Sequence, residues 1–163
     1  MTMKKRGFEI LTSYLDKNIH LPVRQTKASA GYDFETAEDI VVPSIWKQFL
    51  DKWFDDIDVK ATLVPTGVKS YMDQDEYLQL SIRSGIALKS GLILSNGIGV
   101  VDADYYNNES NEGHIMFAVY NFGFKDKKIK KGERIGQGIF LPFLKVDDDV
   151  TVKERSGGFG STK

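Results

Sequence analysis

Four short strings hold the residues able to do chemistry. In Gly99-Val100-Val101-Asp102-Ala103-Asp104-Tyr105 two carboxylates stand two residues apart. Strand alternation sends Asp102 and Asp104 to one side and Tyr105 to the other, unless a turn intervenes. Such a pair can orient a water, bind a cation or cap a turn, and the residues alone leave all three open. The tail Arg155-Ser156-Gly157-Gly158-Phe159-Gly160-Ser161-Thr162-Lys163 is a second source of chemistry. Its glycines let backbone N–H groups converge on an anion, and Arg, Ser, Thr and Lys add donors around the same point. Phe159 between glycines fits a lid that stacks on a flat ring, a contact worth about 1–3 kcal/mol on a base. A flexible Gly/Ser-rich end reads equally well from composition alone. Arg83-Ser84-Gly85 could set a guanidinium, a hydroxyl and an N–H on a phosphate chain, although such trios also suit ordinary turns. Ala30-Gly31-Tyr32-Asp33 adds one more carboxylate.

Those strings must be positioned by a mostly β scaffold. Short apolar runs separated by turn residues cover Phe8–Leu15, Asp39–Val42, Val59–Val64, Glu76–Ile82, Gly91–Leu94, His114–Tyr120, Ile135–Leu144 and Val150–Val152. In His114–Tyr120 the residues Ile115, Phe117 and Val119 share one face. Many short strands without a βαβ rhythm predict an antiparallel sandwich or closed barrel. One segment differs. Ile45, Trp46, Phe49, Leu50, Trp53, Phe54 and Ile57 recur at spacings of three and four, which predicts an amphipathic helix packed on the barrel, with Ser44 as its N-cap. Asn107-Asn108-Glu109-Ser110-Asn111-Glu112-Gly113 reads as an extended polar hairpin turn.

Composition removes several classes of function. The 163 residues fit one domain, 1–163, and contain no cysteine, so a disulfide framework, a thiolate metal site and a thiol nucleophile are excluded. Two histidines, His20 and His114, cannot build a multi-histidine metal centre. A balance of 22 basic and 23 acidic residues argues against direct nucleic-acid binding by the whole surface. No apolar run reaches the roughly 18 residues of a membrane span, and no signal-peptide pattern opens the chain, so a cytoplasmic protein without membrane contact is expected.

Taken in order, Ala30-Gly31-Tyr32-Asp33, Arg83-Ser84-Gly85, Gly99 to Tyr105, Gly132-Glu133-Arg134-Ile135-Gly136-Gln137 and Gly157-Gly158-Phe159-Gly160-Ser161-Thr162 resemble the five motifs of the trimeric dUTPases. The resemblance spans residue 30 to the C-terminus. It implies an all-β, jelly-roll-like β-barrel with one short helical insert at 44–58 and a mobile C-terminal lid at 154–163. It further implies a homotrimer in which three subunits contribute to each site, and the Mg²⁺-dependent splitting of dUTP into dUMP and pyrophosphate. That reaction limits uracil in DNA and supplies dUMP for dTMP synthesis.

By the same resemblance Asp102 would be the general base for the water that attacks the α-phosphorus. Tyr105 would pack under the deoxyribose. Asn96, Val100, Val101 and Met116 would form the uracil pocket. Arg83, Ser84 and Gly85 would hold the phosphates, Gln137 the α-phosphate, and Asp33 the metal through water. Phe159 would stack on uracil, with Arg155, Gly160, Ser161 and Thr162 around the outer phosphates. Two departures stand out: Arg155 lies one residue closer to the Gly-Gly pair than the family pattern has it, and Lys163 replaces a common Gly. The helical insert and the 107–112 loop enlarge the basic pattern in the way of phage and Gram-positive dUTPases, and the insert is a place for a regulatory protein partner. Rival expectations are a dCTP deaminase on the same scaffold and a β-sandwich sensor that binds the nucleotide without turnover.

Overall fold

The alternation expected near His114 is realised in the computed structural model, which describes residues 4–50 and 59–152 together with Arg155 and Gly157. Ile115, Phe117 and Val119 are buried and their neighbours are half-buried. The strands are β1 (Gly7–Ile10), β2 (Tyr32–Glu35), β3 (Ile40–Val42), β4 (Thr62–Pro65), β5 (Val68–Tyr71), β6 (Glu76–Ile82), β7 (Leu92–Leu94), β8 (Gly99–Asp102), β9 (Met116–Asn121), β10 (Lys127–Ile129) and β11 (Arg134–Pro142). Two helices interrupt them, α1 (Ile45–Leu50) and α2 (Ser84–Ser90). An antiparallel sheet in the order β2-β11-β6-β8 faces a second in the order β4-β9-β7, with the pairs β1-β5 and β3-β10 alongside. Phe34, Val42, Val64, Leu78, Phe117 and Ile135 fill the space between them. The result is a jelly-roll-like β-barrel.

Glycines at two positions make that packing feasible. A Cβ on Gly136 would lie 2.0 Å from the Phe117 ring, and one on Gly138 would lie 2.8 Å from Phe34. Both therefore leave room for aromatic rings, while Gln137 between them projects from the opposite face.

Several elements differ from the sequence expectation. β1 stops after four residues because Leu11 and Tyr14, joined by a 3₁₀ turn at Thr12–Tyr14, pack with Ala37 in a small separate cluster. Strands β2 and β5 were hidden by their polar residues: Asp33, Lys69 and Ser70 are buried with hydrogen-bonding partners rather than excluded. Strand β10 is three residues long and buries only Ile129. Val150 and Val152 are almost fully exposed and form no strand. Helix α2 has no apolar stripe to announce it, and its Leu88 is exposed. It starts directly after Arg83 and ends at Gly91, whose φ of +64° closes it in the left-handed region.

The expected helix at 45–57 is described only over α1, and residues 51–57 lie outside the described part. Ser44 is buried, but its hydroxyl donates to the carbonyl of Gly123 at 2.6 Å rather than capping α1. Trp46 stacks on Phe124 and donates its indole N–H to Phe122 O, while Trp46, Phe49 and Leu50 remain solvent-exposed. Among the described residues no helix is long and apolar enough to cross a membrane.

Candidate active site

Seven of the residues singled out by sequence line one cavity of about 280 Å³: Asn96, Val100, Val101, Asp102, Tyr105, Met116 and Arg155. Strand β8 supplies one wall, held by antiparallel pairing that sets Tyr77 opposite Asp102 and Leu80 opposite Gly99. The turn before β8 uses Gly97 at φ +72° to bring Asn96 to the rim. Met116, at the start of β9, closes the far side. Ile98 and Ile115 also contribute apolar surface that the motif reading had passed over.

Strict alternation would have sent Tyr105 away from Asp102. Instead a 3₁₀ turn at Ala103–Tyr105 intervenes, and both side chains reach the same cavity. Tyr105 is buried, with its hydroxyl donating to His114 O at 3.0 Å and accepting from Asn111 Nδ2 at 2.7 Å. Burial raises its pKa above the ordinary 10, which keeps the phenol neutral.

Arg155 bridges the two carboxylates, with Nη2 2.6 Å from Asp102 Oδ2 and Nε 3.0 Å from Asp104 Oδ1. Its guanidinium also lies 5.5 Å from the centre of the Tyr105 ring. Asp102 Oδ1 has no hydrogen bond among the described residues. A carboxylate held by one oxygen and open at the other is suited to orienting a water.

A second cluster forms at the opposite end of β6. Asp33 on β2 is buried between Arg83 Nε at 3.2 Å and Arg134 Nη1 at 3.3 Å. Gln137 on β11 sits opposite both Asp33 and Ser81, and its amide reaches Ser81 Oγ at 3.3 Å. Ser84 and Gly85 open α2 immediately after Arg83. Arg134 was not assigned a role from sequence, although it lies within the fourth of the quoted strings; only its approach to Asp33 reveals it. Register separates the two clusters. From Tyr77, opposite Asp102, to Arg83 is six residues, or about 20 Å at the rise of an extended strand. Arg83, Gly85 and Arg134 line a different cavity from the one that holds Asp102, with no lining residue in common. Phe159, Gly160, Ser161 and Thr162 lie outside the described residues.

The dUTPase family model matches residues 17–163. The chain belongs to the dUTPase family. Deoxyuridine 5'-triphosphate nucleotidohydrolase of Lactococcus lactis is 45% identical over 162 residues, covering 98% of this chain and 99% of that protein. The dUTPase structure from Streptococcus mutans is 42% identical, with a TM-score of 0.74 over 86% of this chain and 98% of that one. The dUTPase from phage phi11 of S. aureus shares the fold at 17% identity, with a TM-score of 0.68 over 94% and 100% of the two chains. Membership fits the all-β barrel.

Proposed function

We propose that the chain hydrolyses dUTP to dUMP and pyrophosphate, with Asp102 aligning and deprotonating the attacking water. The water oxygen bonds to the α-phosphorus, its proton passes to Asp102, and the α–β bridging oxygen leaves with pyrophosphate. The observation that carries this reading is the single cavity in which the Asp102 carboxylate, the Tyr105 ring and the Asn96–Val101 segment meet. Backbone groups there are fixed by strand pairing and can read a base edge, with a cytosine amino group meeting a donor. Tyr105 pressed on C2′ leaves no room for a 2′-hydroxyl.

The Asp33–Arg83–Arg134 cluster, with Ser84, Gly85 and Gln137, is the phosphate site in this proposal. Ser84 lies at the α–β bridge and Gln137 at the α-phosphate. The roughly 20 Å along β6 between Asp102 and Arg83 of one chain supports a homotrimer, in which the cavity of one copy meets the phosphate residues of another. The present partners of Arg155 are Asp102 and Asp104, because two carboxylates outcompete solvent for its guanidinium. Its role at the outer phosphates beside Ser161, Thr162 and Gly160, with Phe159 over uracil, requires that pair to open.

Among the described residues no group of three His, Asp or Glu side chains could cage a metal. Asp33, a single carboxylate paired with Arg83 and Arg134, instead suits Mg²⁺ carried by substrate phosphates and held through water, as this ion retains much of its hydration. Bound there, Mg²⁺ would offset the charge developing on the leaving pyrophosphate.

The test is pyrophosphate release from dUTP, dCTP, dTTP and UTP in Mg²⁺, with the wild type and Asp102→Asn. Only dUTP should turn over efficiently, and the substitution should lower kcat by about 10²–10⁴-fold with little change in nucleotide affinity. Ammonia release from dCTP, tight dUTP binding without turnover, or a near-normal rate in Asp102→Asn would overturn the proposal.

A further inference from the structure

The polar loop at 107–113, which reads from sequence as a surface turn, packs behind the cavity against Tyr105, one of its lining residues. Asn107 and Glu112 hold left-handed φ of +56° and +60°, and a Cβ on Gly113 (φ +82°) would fall 2.8 Å from Tyr105 O. Such a backbone persists only where its surroundings hold it. Here the buried Lys69 ammonium binds Asn107 Oδ1 at 2.6 Å and Glu112 Oε1 at 2.7 Å, and Glu112 also accepts from the Thr12 hydroxyl at 2.9 Å. Inside the loop, Asn111 Oδ1 accepts from Asn108 Nδ2 at 2.8 Å and from Gly113 N at 3.1 Å. That leaves its Nδ2 pointed at Tyr105 Oη, 2.7 Å away.

We infer that Asn111 is a positioning residue that sets sugar specificity, holding the Tyr105 ring against the 2′ carbon of the nucleotide. This rests on the proposed dUTP site. The phenol oxygen lies on the long axis of the ring, so anchoring it between Asn111 Nδ2 and His114 O fixes the tilt of the ring as well as its depth. A 2′-hydroxyl is excluded only while the ring cannot yield. With one anchor gone, the ring can swing by the fraction of an ångström that a hydroxyl needs, and ribonucleotides gain access. Steric discrimination is thereby supplied by a side chain that does not line the cavity itself.

Asn111→Asp tests this with little change of shape. It keeps Oδ1 as acceptor for Asn108 and Gly113 but replaces the donor facing Tyr105 with a second acceptor. The readout is the ratio of kcat/KM for dUTP to that for UTP, a quantity that a general loss of folded protein does not alter. The ratio should fall about tenfold, the scale of one lost hydrogen bond, chiefly through better use of UTP. In the Tyr105→Phe background the ratio should start low and Asn111→Asp should add nothing, since the two act through one contact. An unchanged ratio in Asn111→Asp, or an equal further fall in the Tyr105→Phe background, overturns the inference. Should Asn111→Asp fail to fold, Tyr105→Phe alone decides, because it retains the ring and removes the anchor; full discrimination in that variant refutes the brace. Absence of dUTP turnover in the wild type would instead remove the proposed function, so the two failures are distinct.

Discussion

Acidification from about pH 7.5 to about pH 4.5 is expected to remove about 2–3 kcal/mol of unfolding free energy through one side chain, His114. Burial pushes its imidazole down from 6.5 to about 4, against a small opposing pull from Glu38. The tautomer is dictated by geometry. Gly67 N–H donates to Nε2 at 3.0 Å, so that nitrogen must be bare and the proton sits on Nδ1. Protonation would set an N–H against an N–H beside the Tyr14 ring, 5.3 Å away between centroids.

Because the folded pKa is depressed, the unfolded chain takes up a proton below 6.5 that the folded chain refuses. Stability is thus complete above 6.5 and drains as pH falls towards 4. Two pH units at about 1.4 kcal/mol each give the quoted loss, a large share of a typical domain's total of about 5–15 kcal/mol. Glu76 and Glu112 are also held low, by hydrogen bonds from Arg6 and Lys69, but from an ordinary value of 4.5, so their losses fall mostly below this window.

Urea unfolding at fixed protein concentration, followed by the fluorescence of Trp46 and Trp53, measures the effect as a falling midpoint with unchanged slope. His114→Gln keeps an acceptor for Gly67 but cannot charge, and its midpoint should stay nearly flat across the same range. A flat wild-type profile, or an equal slope in His114→Gln, would refute the reasoning.

Two further expectations concern packing and the tail. Gly136→Ala should lower the Tm by about 5–10 °C, since its Cβ would sit 2.0 Å from a buried Phe117 ring and overpacking costs about 1–3 kcal/mol; a wild-type melting curve would contradict this. Deleting 154–163 should abolish dUTP turnover yet shift the Tm by only about 2–4 °C, because the clustered core residues all lie between Phe8 and Phe140. Normal turnover by the truncated protein would remove the lid from the mechanism.

Much of this molecule was legible before any coordinates. Periodicity gave the β class, β6 at its observed bounds and the buried face of β9, because alternation is a local property that burial enforces directly. The resemblance to the dUTPase motifs pointed to the residues of the cavity, most of which lie in the short run from Asn96 to Tyr105. Other features depended on distant partners. Strand β5 carries Lys69 and Ser70 into the interior, and only the loop at 107–113 and the β1 backbone explain how those polar groups are satisfied. Arg134 meets Asp33 across 101 residues, and Arg155 meets Asp102 across 53. The placement of Tyr105 beside Asp102 needed a single 3₁₀ turn that no local pattern signals. The same holds for the gap between the two clusters, which is set by strand register and not by sequence distance. Residue type and order thus singled out the groups able to do chemistry; tertiary pairing decided which of them meet, because hydrogen-bond satisfaction and register are properties of the whole barrel and not of any one segment.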